Sequence, residues 1–166
     1  MSLEIERKFL IAYPEEETLR ARCSAVYEME QTYLRAASNV TARVRRRVGG
    51  REEFFYTEKE FCTNRTCVER ESTIDREAYE RLLERRDETM QTIVKRRYCL
   101  PHDGFLFEID IYPFWQQVAV MEVELTSEEQ PFTFPEGITV LREITDDRRM
   151  KNAALAREIP AEATLL

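Results

Sequence analysis

Apolar and charged residues alternate along much of this chain. In "LEIERKFL", residues 3–10, Glu4, Glu6 and Lys8 stand two positions apart, and most of the positions between and beside them are apolar. Side chains of a strand point alternately to its two faces, so this spacing predicts one charged face, whereas a helix would scatter the three charges. The same alternation predicts strands near residues 3–12, 26–36, 39–49, 52–62, 67–74, 90–100, 105–113 and 118–127, with a further candidate strand at 139–145.

Three helices fit between these strands. One is expected from about Pro14 to Cys23, because proline suits the first turn of a helix. A second is expected after Asp75, which is a suitable N-cap residue, and a third is expected to begin near Asp146 or Asp147. Many strands joined by hairpins, with a few helices added, predict a mostly antiparallel α+β fold.

The charged faces of the predicted strands are unusual because each carries nearly one sign of charge. Taking every second residue of each strand gives the following rows of charge: Glu4, Glu6 and Lys8; Arg43, Arg45 and Arg47; Lys95 and Arg97; Glu108 and Asp110; Glu122 and Glu124. An ordinary sheet, apolar toward the core and charged toward solvent, explains the alternation of each strand by itself. A solvated surface usually mixes both signs, however. A closed antiparallel barrel is the alternative, with charged faces around an interior channel and apolar faces outside, beneath the helices.

Length and composition fit a globular protein, and we expect one domain spanning residues 1–166. The net charge of −7 argues against general nucleic-acid binding, and no apolar run approaches the roughly 20 residues of a membrane span. The four cysteines form no CxxC pair and His102 is the single histidine, so a zinc site is not expected. The acidic N-terminal segment lacks the apolar core of a signal peptide, which predicts a cytoplasmic protein with reduced thiols.

Lysine is rare in a chain that otherwise uses arginine. There are 21 arginines and four lysines, namely Lys8, Lys59, Lys95 and Lys151. Three of the lysines fall on the charged strands or on the strand between them, and the fourth falls in the last predicted helix. Because arginine stays protonated and lysine offers a compact charge that can lose its proton, this distribution suggests that the lysines have a chemical role.

Several segments match one family in order. "EIERKF" has the form ExExK, and it is followed by "ARVRRR", "YTEK", "ERES", "IVKRRY", "FEIDIY", "VMEVEL" and "REITDDRRMKNAALA". From residue 3 to about 157 the chain thus resembles the CYTH domain, or triphosphate tunnel metalloenzyme superfamily, although Met150 stands where that family usually has an aromatic residue. The first motif is short, but the combination is specific. The resemblance implies a closed eight-stranded antiparallel barrel with a polar lumen and outer helices, which binds a divalent metal and acts on triphosphates.

A triphosphate is strongly anionic and needs cations on several sides. The candidate substrate-binding residues are Lys8, Arg43, Arg45, Lys59, Lys95, Arg97 and Lys151. Acidic residues would offset the repulsion among these cations, and Glu69, Glu71, Glu108 and Asp110 are additional acidic candidates. The resemblance implies that Glu4, Glu6, Glu122 and Glu124 are metal ligands, and carboxylate ligands suit Mg²⁺ or Mn²⁺.

Lys8 is the candidate catalytic residue. It is expected to bind phosphate and to tune the attacking water or accept a proton from it. A structural ion pair with Glu6 is an equally good interpretation of Lys8 as far as the proton role is concerned.

The resemblance implies metal-dependent hydrolysis of inorganic tripolyphosphate, because short members that open with "EIERKF" resemble that branch of the family. The alternative on the same fold is an adenylyl cyclase of the class IV type or a thiamine or nucleoside triphosphatase. A third hypothesis is a polyphosphate binder without activity, which the many carboxylates disfavour. A triphosphate-containing small molecule is the expected partner, without nucleic acid or membrane, and dimer formation is left open.

Overall fold

The computed structural model describes residues 2–63 and 65–166, which form nine strands and three α-helices. The strands are β1 (Ser2–Ala12), β2 (Ala25–Leu34), β3 (Val40–Val48), β4 (Glu52–Phe61), β5 (Thr66–Ile74), β6 (Ile93–His102), β7 (Phe105–Ile111), β8 (Val118–Leu125) and β9 (Val140–Glu143). The helices are α1 (Glu16–Arg22), α2 (Arg76–Leu83) and α3 (Asn152–Arg157), with 3-10 turns at Arg148–Met150 and Glu162–Thr164. Every predicted strand is confirmed, and the predicted ends differ by at most three residues.

The helices begin close to the predicted positions. The side chain of Asp75 accepts a hydrogen bond from the backbone N–H of Ala78, which satisfies a donor of the first turn of α2. The third helix is split, because the extended backbone of Lys151 separates the 3-10 turn capped by Asp147 from α3, which begins at Asn152. In the described part of the chain, none of the helices combines the length and apolar content needed to cross a membrane.

Eight strands close into a barrel. The order is β5-β4-β3-β2-β6-β7-β8-β1, and β1 pairs back with β5 through Leu3 opposite Val68. Farther along β1, Phe9 lies opposite Glu143 of β9, which is added outside the ring of eight. All these pairs are antiparallel, and closure joins two strands that would otherwise be sheet edges. The closed eight-stranded antiparallel barrel implied by the resemblance is therefore confirmed.

Apolar side chains on the outside of the barrel are covered by helices. Leu19 of α1 joins a cluster with outward residues of β1, β6, β7 and β8, among them Phe9 and Met121. Tyr79 of α2 packs against Phe54 of β4 with ring centroids 4.8 Å apart. The charged alternate positions therefore face inward, as the barrel interpretation predicted.

One end of the barrel interior is apolar and filled. The inward side chains change there from charged to apolar and aromatic, at Leu10, Tyr33, Ile93 and Val120 of four strands and at Tyr112 just after β7. They pack against Met150 and against Leu155 of α3, both at most 1% exposed. Met150 is thus a core residue of this end, and its unbranched side chain fills the position without a ring.

Candidate active site

The charged inward residues enclose a cavity of about 300 Å³. Eleven of the fifteen residues predicted for the site line it: Glu4, Glu6, Arg43, Arg45, Lys59, Glu69, Glu71, Arg97, Glu108, Glu122 and Glu124. Lys8 and Lys151 line a smaller cavity of about 40 Å³, whose lining shares Glu6, Arg43 and Lys59 with the larger one. Lys95 and Asp110 are packed within the wall, with side chains at most 1% exposed. The structure thus brings the predicted residues together around one hollow.

The two signs of charge occupy different halves of the barrel. The acidic arc comprises the inward carboxylates of four adjacent strands, β7, β8, β1 and β5: Glu108, Asp110, Glu122, Glu124, Glu4, Glu6, Glu69 and Glu71. The basic arc comprises the inward cations of β4, β3 and β6, with β2 between the last two: Lys59, Arg43, Arg45, Arg47, Lys95 and Arg97. Opposed arcs create a strong field across the hollow while nearly cancelling its net charge.

Two lysines form ion pairs with carboxylates of the acidic arc. Lys8 lies on β1 itself, and its Nζ is 3.0 Å from Oε1 of Glu122 on the neighbouring strand. Lys59 reaches from β4 to Oε2 of Glu4 at 2.6 Å and to Oε2 of Glu69 at 3.5 Å. The ion-pair partner of Lys8 is therefore Glu122, and not Glu6 as the structural interpretation from the sequence proposed. Burial lowers the pKa of Lys8, but the charges of Glu122 and Glu6 outweigh it and raise the pKa.

Asp110 holds two cations of the basic arc. Its Oδ2 lies 2.7 Å from Nζ of Lys95, and its two oxygens accept hydrogen bonds from Nε and Nη2 of Arg97 at 2.7 and 2.8 Å. Burial would raise the pKa of Asp110, but the charges of Arg97 and Lys95 lower it to about 2. Burial and the charge of Arg97 lower the pKa of Lys95. Since both oxygens of Asp110 are occupied, this residue positions the cations.

Carboxylates crowd one another in the acidic arc. Glu6 lies directly opposite Glu124 in the β1–β8 register, and Glu108 lies opposite Glu122 in the β7–β8 register. Like charges placed in this way are destabilising. Burial, followed by the charge of Glu122, raises the pKa of Glu6 to about 7 despite the nearby ammonium groups of Lys59 and Lys8. The pKa of Glu124 is also raised, by burial and then by the charges of Glu4 and Glu108.

This crowding suits a divalent cation, which would relieve the repulsion and would find only oxygen ligands. Within residues 2–63 and 65–166, however, no three acidic, histidine or cysteine side chains already converge as a ligand set. Glu4 and Glu122 are instead engaged by Lys59 and Lys8. The residues fit a hard metal chemically, and phosphate oxygens would have to complete the coordination.

In the basic arc, cations repel one another. Burial and the charges of Arg43 and Arg97 lower the pKa of Arg45 to about 10, although its Nη2 lies 3.2 Å from Oε2 of Glu71. The Nε atoms of Arg43 and Arg45 are buried without a hydrogen-bond partner. A bound anion would relieve this repulsion and supply the acceptors that these donors lack.

The sequence did not identify the uncharged residues of the hollow. Tyr27 and Met29 of β2 line the larger cavity, Tyr33 of the same strand lines the smaller one, and Asn152 lines both. Strand β2 was predicted, but its inward positions carry no charge, so they belong to none of the charged rows. Continuing the alternation through the strand would have found the two tyrosines.

Comparison with known proteins agrees with this geometry. The CYTH domain family model matches residues 2–146. A curated inorganic triphosphatase from Nitrosomonas europaea is 34% identical over 160 residues, covering 95% of this chain and 99% of the relative. A crystal structure of an inorganic triphosphatase matches with a TM-score of 0.59 and 33% identity, covering 97% of this chain and 99% of that one. A Pyrococcus horikoshii protein shares the fold, with a TM-score of 0.57 and 22% identity over 76% of this chain and 81% of its own. This chain therefore belongs to the CYTH domain family.

Proposed function

We propose that this protein hydrolyses inorganic tripolyphosphate inside the barrel. The observation that carries the proposal is the 300 Å³ hollow, in which an arc of carboxylates faces an arc of cations. The family membership and the 34% identity to an inorganic triphosphatase over nearly the full chain support the same reaction.

The basic arc would bind the phosphate chain. Arg43, Arg45 and Arg97 offer planar guanidinium groups that match phosphate oxygens, and Lys59 adds a point charge from the strand beside β3. At about 4 Å and an effective dielectric constant near 20, each such charge pair contributes roughly 4 kcal/mol before desolvation. Lys151, beside the smaller cavity, would contact the end of the phosphate chain. Lys95 would contribute its charge from within the barrel wall.

The acidic arc would hold the metal. We assign Glu4, Glu6, Glu122 and Glu124 as the carboxylates that would bind Mg²⁺ or Mn²⁺, with Glu69, Glu71 and Glu108 as further acidic groups of the cavity. A bound divalent cation supplies charge neutralisation for the phosphates and activation of the attacking water. Asp110 is excluded from this set because both of its oxygens contact Lys95 and Arg97.

Lys8 would stabilise developing negative charge. Its raised pKa keeps the ammonium group protonated near neutral pH, which favours phosphate binding over proton acceptance. Nζ also donates a hydrogen bond to the backbone carbonyl of Met150 at 3.2 Å, which fixes its position beside the smaller cavity. Because phosphoryl transfer has a loose transition state, positioned charge of this kind is the main contribution that a protein can make.

We place the protein in the cytoplasm. Its cysteines, Cys23, Cys62, Cys67 and Cys99, are all free thiols. Unpaired thiols are typical of a reducing compartment.

Phosphate release from tripolyphosphate, ATP and thiamine triphosphate, each with Mg²⁺ and with Mn²⁺, tests the proposal. We expect the highest kcat/KM with tripolyphosphate and a large loss in Glu122→Gln. The outward Arg96, beside Arg97 on β6, pairs with Glu28 and Glu16, so Arg96→Gln serves as a control that keeps activity. Cyclic AMP and pyrophosphate without orthophosphate would establish a cyclase instead, and intact tripolyphosphate after binding would establish a non-enzymatic binder.

A further inference from the structure

The unsatisfied polar atoms of the barrel interior lie on one pair of strands. Among the residues that the structure describes, four buried side-chain atoms lack a hydrogen-bond partner: Nε2 and Oε1 of Gln31 on β2, and Nε of Arg43 and of Arg45 on β3. Gln31 is completely buried. In the opposite wall, the buried carboxylates of Asp110 and Glu122 are paired with cations. The β2–β3 wall thus has donors that the protein itself does not satisfy.

Gln31 lies at the centre of the basic arc. In the β2–β3 register it is directly opposite Arg45, and in the β2–β6 register it is opposite Ile93, two residues before Lys95. Directly opposed residues have Cβ atoms about 5 Å apart, so the side chains of Gln31 and Arg45 are neighbours on the inner face of the barrel. Gln31 therefore has a cation, Arg45, as its direct neighbour on β3 and an apolar residue, Ile93, on β6, with Lys95 in the diagonal position.

Along β2, Gln31 lies between two residues that line different cavities. Met29, two residues before it on the same face of β2, lines the larger cavity, and Tyr33, two residues after it, lines the smaller one. Arg43 belongs to both linings. A phosphate chain that extends from the larger cavity to Lys8 at the smaller one would follow the inner face of β2 and β3 along Met29, Arg43 and Tyr33, which is the face that carries Gln31.

A buried amide without partners destabilises the folded protein, whereas a methionine or leucine of similar size would not. We propose that Gln31 is a further substrate-binding residue, whose Nε2 donates a hydrogen bond to a phosphoryl oxygen at this face, together with Nε of Arg43 and Arg45. This proposal rests on the proposed function, because it concerns the same substrate. In this proposal Gln31, at the boundary between the apolar and polar parts of β2, would bind the middle of the phosphate chain.

Replacement of Gln31 by methionine tests the proposal, because it keeps the volume and removes the amide. We expect Gln31→Met to unfold at a higher temperature than the wild type without ligand. We expect kcat/KM for tripolyphosphate to fall about 10- to 100-fold, the effect of losing a hydrogen bond to a charged group. Calorimetric titration of tripolyphosphate without metal should show weaker binding, which a purely structural role would not produce.

The adjacent Thr32 provides the control. Its hydroxyl contacts that of Thr92 at 2.8 Å on the outer face of β2, so Thr32→Val should change stability and leave kcat/KM unchanged. Should Gln31→Met fail to fold, Gln31→Glu, which has the same shape but no amide donor, replaces it and should lose at least as much activity. Unchanged kcat/KM and tripolyphosphate affinity in a folded Gln31 variant, beside an active wild type, would overturn the role of Gln31 alone. A wild type that neither binds nor hydrolyses tripolyphosphate would overturn the proposed function as well.

Discussion

Nζ of Lys95 lies 2.7 Å from Oδ2 of Asp110, and at most 1% of either side chain is exposed. The same carboxylate accepts two hydrogen bonds from Arg97, which lines the cavity. Asp110 therefore fixes the orientation of the Arg97 guanidinium group at the edge of the hollow. This contact links the stability of the barrel wall to the shape of the cavity.

Replacement of Asp110 by asparagine should destabilise the protein strongly. The change leaves the buried ammonium group of Lys95 without its carboxylate and leaves Arg97 with Glu108 alone, and breaking such a buried pair costs about 3–5 kcal/mol. Urea unfolding of Asp110→Asn against the wild type measures this difference. The surface pair of Arg81 with Glu77, at 3.0 Å on α2, gives the control, because Glu77→Gln should cost no more than about 0.5 kcal/mol. A loss as small as that of the control would show that the buried pair is not essential.

Asp110 should also make the protein sensitive to acid. Its folded pKa of about 2 lies below the usual unfolded value, so its contribution to stability is present above about pH 4 and is lost as the pH falls through about 2. The shift corresponds to about 2 kcal/mol. Free energies of unfolding measured between pH 6 and pH 2 should fall less steeply in Asp110→Asn than in the wild type. Parallel curves for the two proteins would contradict this assignment.

Replacement of Glu6 by glutamine should separate stability from activity. Glu6 faces Glu124 across β1 and β8, and burial with the charge of Glu122 raises its pKa to about 7. Above that pH, removal of the charge should stabilise the metal-free protein by about 1–3 kcal/mol, while more Mg²⁺ or Mn²⁺ is needed for half-maximal activity. Thermal unfolding at pH 8 and activity against metal concentration measure the two effects.

The control for Glu6 is an ion pair outside the barrel. Glu143 of β9 pairs with Arg7 at 2.6 Å, so Glu143→Gln should lower stability slightly and leave the metal requirement unchanged. An unaltered metal requirement in Glu6→Gln would remove this residue from the proposed ligand set.

Replacement of Lys8 distinguishes a role in charge from a role in proton transfer. If the ammonium group stabilises charge, Lys8→Arg should keep part of the activity, and Lys8→Met should lose more than about 100-fold in kcat. The pH profile of Lys8→Arg should keep the shape of the wild-type profile. Equal losses in both variants, with the alkaline or acidic limb of the profile missing, would instead indicate a proton acceptor.

The fold was predictable because period-two alternation is a strong signal. Glu4 and Ile5, or Glu122 and Val123, point to opposite faces in any strand, so the charged and apolar faces followed directly from the order of residues. Which face lies inside did not follow, because an open sheet explains each strand equally well. The single sign of most charged rows, and the family resemblance, decided that question correctly.

Depth and pairing within the site were not predictable from alternation. The pattern shows that Asp110 and Glu122 share the inward face, but it does not show that one is enclosed by cations and the other borders the cavity. The partner of Lys8 depends on the register of β1 with β8, which brings Glu122 opposite. Gln31 was not predicted as a site residue because it carries no charge. Its candidacy depends on its burial without a hydrogen-bond partner and on its position opposite Arg45.

Strand β1 joins parts of the chain that are far apart in sequence. Ile5 lies opposite both Leu125 and Thr66, and Phe9 lies opposite Glu143. Such distant pairings must overcome the entropy of closing long loops, which makes folding slow. During synthesis, Glu6 stays exposed to water until more than a hundred further residues have been made, because its strand partner is Glu124 of β8. The polypeptide consequently acquires its reaction chamber and its finished architecture in the same late event, so a half-made molecule has neither.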